Sequence, residues 1–245
     1  KTEKIDKVIH LAAMAGVRSS LLDPKLYFDV NVMGSLNLLE AAVKYKIKNF
    51  VFASSSSVYG NNKKVPFSES DAVDTPISPY AASKKTDELI AHAYHHIHGL
   101  NVTALRFFTV YGPWGRPDMA LFLFTDAITR GKPINVFNRG KMSRNFTYVD
   151  DIATGTITVL DKCKGYGVMN IGGDKEETLM RYIEVLEESL GKYAKKKLLP
   201  MQPGDVPKTV ADIRKLRKLG WKPTTRIEEG IKNFVEWYKG YYKIK

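Results

Sequence analysis

The sequence predicts an α/β fold built on a parallel sheet, and three observations carry that expectation. Short apolar runs of strand length alternate with helical segments of a dozen residues or more, the rhythm of right-handed βαβ units. Asp23-Pro24 and Ser78-Pro79 each place an N-cap residue before a proline at the first helical position. One strand ends in the hydroxyl run Ser54-Ser55-Ser56-Ser57, and open α/β sheets bind ligands at the carboxyl ends of their strands.

Taken in order, residues 7–11 read as a short buried strand. The helix opened by Asp23-Pro24 carries Leu36, Leu39, Ala42 and Val43 at helical spacing. Residues 49–54 form the next strand, Ser78-Pro79 opens a long helix to about residue 98, and 101–107 is a third strand. A loop rich in Pro and Gly follows from Tyr111 to Pro117. Beyond Arg116 the rhythm loosens into a helix over 119–129, a strand over 134–137, a helix over 149–160, a strand over 168–171 and a helix over 177–190. In a last helix over 227–238, Ile227, Ile231, Phe234, Val235 and Tyr238 form one apolar stripe. The change of rhythm divides the chain into a first domain over 1–115 and a second lobe over 116–245 that is interleaved with the end of the sheet.

Composition bounds the function. The 245 residues are 44% hydrophobic and 26% charged, which excludes collagen-like, disordered and disulfide-stapled classes. No apolar run reaches the roughly 18 residues of a membrane span, and residues 1–7 hold no apolar signal core. A lone cysteine, Cys163, suits a reducing cytoplasm. The net charge is +12, and 16 basic against 8 acidic residues place +8 of it between Arg181 and Lys245. Those lysines are expected to alternate with Glu184, Glu187 and Glu188 along helical faces, and no zinc-finger or RNA-binding signature accompanies them. A solvated surface is therefore expected, without a nucleic-acid partner, although an anionic small molecule could exploit the same field. His92, His95, His96 and His98 share a helix with no ligand set at metal spacing, so no metal is expected and the face reads as solvated.

Chemistry concentrates in one pair. Tyr80 and Lys84 lie four apart on the helix after Ser78-Pro79, so both project from one face. A lysine cation beside a phenol favours the phenolate and makes it a usable base near neutrality. The spacing alone is common in helices. Its place one βα unit after a strand ending in four serines makes it a candidate site.

These motifs carry a resemblance. His10-Leu11-Ala12-Ala13, the segment from Ser54 to Gly60, Tyr80-Ala81-Ala82-Ser83-Lys84 and the segment from Arg106 to Pro113 resemble the extended short-chain dehydrogenase/reductase superfamily and its nucleotide-sugar epimerases. Residues 15–20, the run from Trp114 to Ala120 and Met201-Gln202-Pro203-Gly204-Asp205-Val206 are similar to the UDP-glucuronate 4-epimerase family. The likeness extends over essentially the whole chain. It implies a Rossmann-like doubly wound sheet with a smaller C-terminal α/β substrate lobe, and NAD as a tightly held cofactor.

By that resemblance Tyr80 takes the proton of the sugar 4-hydroxyl, Ser55 hydrogen-bonds the 4-oxygen, and Lys84 holds the nicotinamide ribose and tunes Tyr80. NAD accepts and returns the hydride, through a 4-keto sugar. Ser56, Ser57 and Thr109 are expected to line the sugar pocket. Arg116 is expected at the substrate end, with a surface salt bridge as its other reading, and Arg18 joins it in favouring an acidic sugar. Arg144 and Asp205 match positions that grip the diphosphate and the uridine ribose, with Gln202 beside them. Where the family reads Arg-Asp-Phe-Thr-Tyr, this chain has Arg144-Asn145-Phe146-Thr147-Tyr148, a change expected to slacken Arg144. On the cofactor side the resemblance implies Ala12, Ala13, Asn31 and Phe107 alongside Tyr80 and Lys84, Phe107 reading equally well as core.

The expected reaction is the interconversion of UDP-glucuronate and UDP-galacturonate for surface polysaccharide precursors. Ser55-Ser56-Ser57-Val58 holds no carboxylate, so elimination and decarboxylation lack the acid that related enzymes carry there. A 4-epimerase of neutral UDP-sugars remains an alternative. So does an inactive fragment, because no Gly-x-x-Gly-x-x-Gly cradle occurs and about 70 residues of the family pattern are expected before the first strand. A homodimer is expected through the helix bearing Tyr80, where Leu89, Ile90, Ala93 and Ile97 serve either an interface or the inner face.

Overall fold

The computed structural model describes residues 3–202 and 205–244, so Pro203 and Gly204 of the last resemblance motif lie outside the described residues. The strands are β1 (Lys7–His10), β2 (Asn49–Ser55), β3 (Val102–Phe107), β4 (Thr109–Tyr111), β5 (Ile134–Val136), β6 (Ser143–Arg144), β7 (Phe146–Tyr148), β8 (Tyr166–Ile171), β9 (Glu177–Thr178), β10 (Lys196–Leu198) and β11 (Lys208–Thr209). The α-helices are α1 (Val17–Ser20), α2 (Pro24–Tyr27), α3 (Gly34–Lys44), α4 (Pro79–His98), α5 (Ala120–Thr129), α6 (Val149–Lys162), α7 (Leu179–Leu190), α8 (Arg214–Lys218) and α9 (Ile227–Tyr242). Among the described residues no helix is long and apolar enough to cross a membrane.

The chain forms two units. One comprises Lys1–Phe108, Ala153–Ile171 and Ala211–Lys222; the other comprises Thr109–Ile152, Gly172–Val210 and Pro223–Lys245. The division falls after Phe108, earlier than the expected break at 115. The physical reason is pairing: β4 leaves the large sheet to pair with β7, whereas β8 returns to it beside β3.

The first unit holds a four-stranded sheet in the order β1-β2-β3-β8, every neighbouring pair parallel. β2 and β3 are buried along nearly their whole length, as central parallel strands covered on both faces must be. Leu39 and Ala42 of α3 and Ala91 of α4 pack with Phe50, Phe52, Val102 and Ala104 in one core. β1 and β8 are the outer strands of this sheet among the described residues, and Ile9 of β1 is 38% exposed. The helix opened by Asp23 is capped as expected, the Asp23 carboxylate accepting from Leu26 N at 3.0 Å. It does not run unbroken, however: a π-helical segment, Phe28–Met33, joins α2 to α3. That extra residue per turn rotates the face on which Asn31 lies, and Asn31 is wholly buried.

The second unit is held by α7 and α9. Tyr182, Ile183 and Leu186 pack against Ile231, Phe234, Val235 and Tyr238, the apolar stripe read from the sequence. The four lysines from Lys192 to Lys197 depart from the helical expectation. α7 ends at Gly191 in the left-handed conformation, and Lys196 and Lys197 lie in β10, paired in parallel with β5. The acids and lysines therefore meet across a turn, with Lys196 ion-paired to Glu187. Of the strands of two or three residues, the sequence revealed β5, expected over 134–137, and not β4, β6, β7, β9, β10 or β11. Pairs this short are set by their partners rather than by a period of their own.

Candidate active site

α4 starts where its sequence dictates. Ser78 Oγ accepts from Ala81 N at 3.1 Å, and Pro79 occupies the first turn, where its missing N–H is harmless. The helix then presents Tyr80, Lys84 and Glu88 at successive turns of one face. Glu88 fixes this face to the sheet. Ser54 Oγ donates to its Oε1 at 2.6 Å, while Arg106 of β3 donates Nε and Nη2 to its two oxygens at 2.9 and 2.8 Å. A crossover helix runs back along the strand that precedes it. One residue beyond Ser54 on β2 is Ser55, and one turn before Glu88 on α4 is Lys84. The hydroxyl and the Tyr80–Lys84 pair thus share the carboxyl end of the sheet.

Ser55 is buried and caps the short 3₁₀ turn Ser56–Tyr59 by accepting from Ser57 N at 3.1 Å. That use occupies a lone pair and leaves its proton to donate. Ser56 and Ser57 are half-buried. Beneath the serines, Arg106 lies 4.8 Å over the Tyr59 ring, and Tyr59 Oη donates to Asn170 Oδ1 at 2.7 Å. Burial pushes the Tyr59 phenol up to about 12, so it stays protonated as part of the scaffold.

Lys84 is 3% exposed, and its Nζ lies 3.4 Å from Asp87 Oδ2. Burial lowers the Lys84 pKa, and the Asp87 carboxylate draws it back up. Burial raises Asp87 to about 6 against the pull of Lys84 and a hydrogen bond from Ser35. Ser35 Oγ lies 3.1 Å from His10 Nε2, and burial, then the Lys84 charge, lowers His10. A polar chain therefore runs from Lys84 to the end of β1.

Asn31 secures the loop that follows β1. Its Nδ2 donates to Met14 O and Ser83 Oγ, both at 3.0 Å, and its Oδ1 accepts from Met14 N at 2.7 Å. Both amide hydrogens are spent on the protein. Tyr27 Oη donates to Ala15 O at 3.0 Å, and its ring meets Tyr80 edge-on with centroids 6.1 Å apart. Ala12 is exposed and Ala13 half-buried on this loop, and Arg18 is exposed on α1. Phe107 ends β3 half-buried, in register with Ser55.

In the second unit, Thr109 of β4 pairs with Phe146, and Thr109, Gly112, Arg116 and Met119 line a small pocket. Arg116 forks onto the carboxylate of Asp118 in an exposed ion pair. Arg144 donates to the backbone carbonyls of Ser143, Val206 and Pro207 at 2.8, 2.6 and 3.0 Å. The expected slackening of Arg144 is thereby corrected: backbone carbonyls fix its guanidinium, and Asn145 Nδ2 donates to Lys175 O at 2.6 Å. Asp205 bears on Arg144 electrostatically, and its N–H donates to Gln202 O at 3.2 Å. Gln202 Oε1 is buried with no hydrogen-bond partner among the described residues.

Asp87 and Glu88 were not singled out by the sequence. Glu88 could have been found, since it extends the Tyr80, Lys84 spacing by one more turn. The histidine face is solvated as expected, with His92, His96 and His98 exposed and His95 half-buried. His92 and His95 pack on Tyr166 with centroids 4.9 and 6.5 Å away.

Residues 1–172 match the profile of the epimerase family described as NAD dependent epimerase/dehydratase. An uncharacterized protein of Methanocaldococcus jannaschii is 52% identical over 239 residues, covering 97% of this chain and 73% of its own length. A UDP-glucuronate 4-epimerase of Thermodesulfobacterium geofontis is 49% identical over 241 residues, covering 98% of this chain and 74% of its own. Among solved structures, the UDP-glucuronic acid 4-epimerase of Bacillus cereus, in complex with UDP-glucuronic acid and NAD, superposes with a TM-score of 0.91 at 38% identity, covering 97% and 76% of the two chains.

Proposed function

The chain belongs to the NAD dependent epimerase/dehydratase family, and from that premise we propose that it catalyses NAD-dependent 4-epimerisation of UDP-glucuronate to UDP-galacturonate. One observation carries the reading most directly. Ser55, Tyr80 and Lys84 share the carboxyl end of a parallel sheet, held there by the Ser54–Glu88–Arg106 linkage.

The residues fit the nicotinamide-ribose end of NAD. An ammonium has three donors, and Lys84 directs one at Asp87, which leaves others for ribose hydroxyls. Ala12 and Ala13 put small side chains beyond the end of β1, where a flat ring can approach. The glycine turn that cradles a pyrophosphate is not among the 245 residues. Bound NAD supplies a hydride acceptor and donor at the sugar C4.

This chain's residues handle the proton. Tyr80 removes it from the 4-hydroxyl and later returns it to the opposite epimer. Ser55 donates to the 4-oxygen, and Lys84 favours the phenolate by its charge. Arg116 is assigned to the uronate carboxylate, and Arg144, Asp205 and Gln202 to the nucleotide. Epimerisation needs no further acid, in keeping with the serine run. Leu89 and Ile97, 58% and 69% exposed on α4, are assigned to a homodimer contact. The single buried thiol of Cys163 suits work in the cytoplasm, supplying a uronic-acid nucleotide for surface polysaccharide.

The test is direct. The NAD-loaded protein is incubated with UDP-glucuronate and the C4 epimer is followed by proton NMR. UDP-galacturonate should accumulate to an equilibrium mixture, and faster turnover of UDP-glucose would overturn the substrate assignment.

A further inference from the structure

We propose that Asp87 is a positioning residue for this reaction, its buried carboxylate holding the Lys84 ammonium charged and in place one turn from Tyr80. The proposal rests on the epimerase reading for its catalytic consequence, although the contact itself does not.

Two observations set Asp87 apart from an ordinary structural acid. The side chains of Lys84 and Asp87 are 4% and 1% exposed, with Nζ and Oδ2 3.4 Å apart, so neither charge is solvated. A buried lysine without a counter-charge tends to lose its proton, and a neutral amine would no longer favour the Tyr80 phenolate. Second, Asp87 Oδ1 is buried with no hydrogen-bond partner among the described residues. Removing this carboxylate alone would leave the Lys84 charge buried and uncompensated. Glu88, next in sequence, shows the contrast: its two oxygens take three donor bonds from Ser54 and Arg106.

The groups around Asp87 come from several elements. Lys84 and Glu88 share its helix, Ser35 reaches it from α3, and His10 stands behind Ser35 at the end of β1. Arg106 of β3 is engaged by Glu88. A hydroxyl has one proton. With Ser35 donating to the carboxylate, His10 donates through Nε2, and the tautomer that satisfies all three groups carries hydrogen there. Burial places the Asp87 ionisation at about 6, so the carboxylate acts on Lys84 above that pH and not below it.

The experiment compares wild type, Asp87→Asn and Asp87→Glu in the NAD-loaded full chain. Lysine labelled with ¹³C at the ε carbon is titrated by NMR, with the Lys84 signal assigned through Lys84→Met. In Asp87→Asn the Lys84 midpoint should fall by about one pH unit or more, the effect of removing an opposite charge at this range. Asp87→Glu should restore it. With UDP-glucuronate the alkaline limb of kcat should move by the same amount in Asp87→Asn, with KM changed less than kcat. Wild-type Lys84 should also show a shift inflection near pH 6 as Asp87 titrates, which needs no variant to fold. An unmoved Lys84 midpoint in folded Asp87→Asn, or no inflection in wild type, overturns the proposal. Absence of UDP-glucuronate turnover by wild type would instead overturn the functional reading, leaving the lysine titration to decide Asp87.

Discussion

Ser54 Oγ stands 2.6 Å from Glu88 Oε1, tying the residue before Ser55 to the residue one turn beyond Lys84. Glu88 is 1% exposed and also takes the Arg106 fork, so its removal strands a buried guanidinium. Glu88→Ala should therefore cost about 3–5 kcal/mol in urea unfolding, against about 1–2 kcal/mol for Ser54→Ala. A loss below 1 kcal/mol for Glu88→Ala would mean that the linkage does not hold helix to sheet.

Tyr80→Phe removes the hydroxyl proposed as the proton acceptor and leaves the ring that meets Tyr27 edge-on. Turnover of UDP-glucuronate should fall about 10²–10⁴-fold, the range for losing a general base, with thermal stability close to wild type. Steady-state rates with calorimetric binding of UDP-glucuronate would check this. Weakened binding with unchanged kcat would contradict the assigned role.

How much of this was legible in the sequence depends on range. Caps were: Asp23 and Ser78 hydrogen-bond the N–H three residues on, because capping is local chemistry written in adjacent residues. The stripe of α9 was legible for the same reason. The π-helical segment before Gly34 was not, since a single extra residue in a helical turn leaves the apolar spacing almost intact. Nor was the fixing of Arg144 by Val206 and Pro207, whose partners lie 62 and 63 residues away. The Tyr80–Lys84 pair was read from spacing and resemblance, whereas Asp87 needed the burial that only packing supplies.

The stability of the chain should carry the Asp87 ionisation. Its folded pKa, about 6, lies above the ordinary 3.8, so the folded state holds this proton more tightly than the unfolded state. That stabilisation is complete below the ordinary value and is lost as pH rises to about 6, amounting to at most about 3 kcal/mol. Urea melts of wild type and Asp87→Asn at pH 4 and pH 7 should show wild type losing ground relative to the variant at the higher pH. A constant difference across that window would refute the burial of an ionising carboxyl.

Gly230 lies in α9 where an added Cβ would come within 2.8 Å of Tyr111 ring carbons, and closer still to its hydroxyl. Alanine gains about 1 kcal/mol of helix propensity but overpacks this contact by about 1–3 kcal/mol or more. Gly230→Ala should be net destabilising, and adding Tyr111→Phe should recover part of the loss. Denaturant midpoints of the two variants decide it.

Arg116 and Asp118 form an exposed fork whose side chains are 44% and 62% accessible. Such a pair contributes about 0–1 kcal/mol, so Arg116→Leu should leave the melting temperature nearly unchanged. The guanidinium is worth more against an incoming carboxylate, where a charge-assisted hydrogen bond contributes about 1.5–3 kcal/mol. KM for UDP-glucuronate should then rise about 10–100-fold in the variant, while any slow turnover of UDP-glucose is unaffected because that sugar presents no carboxylate. Competition between the two nucleotides, followed by NMR, isolates the effect from folding. Equal weakening for both substrates would move Arg116 from the uronate to a part of the ligand that the two share.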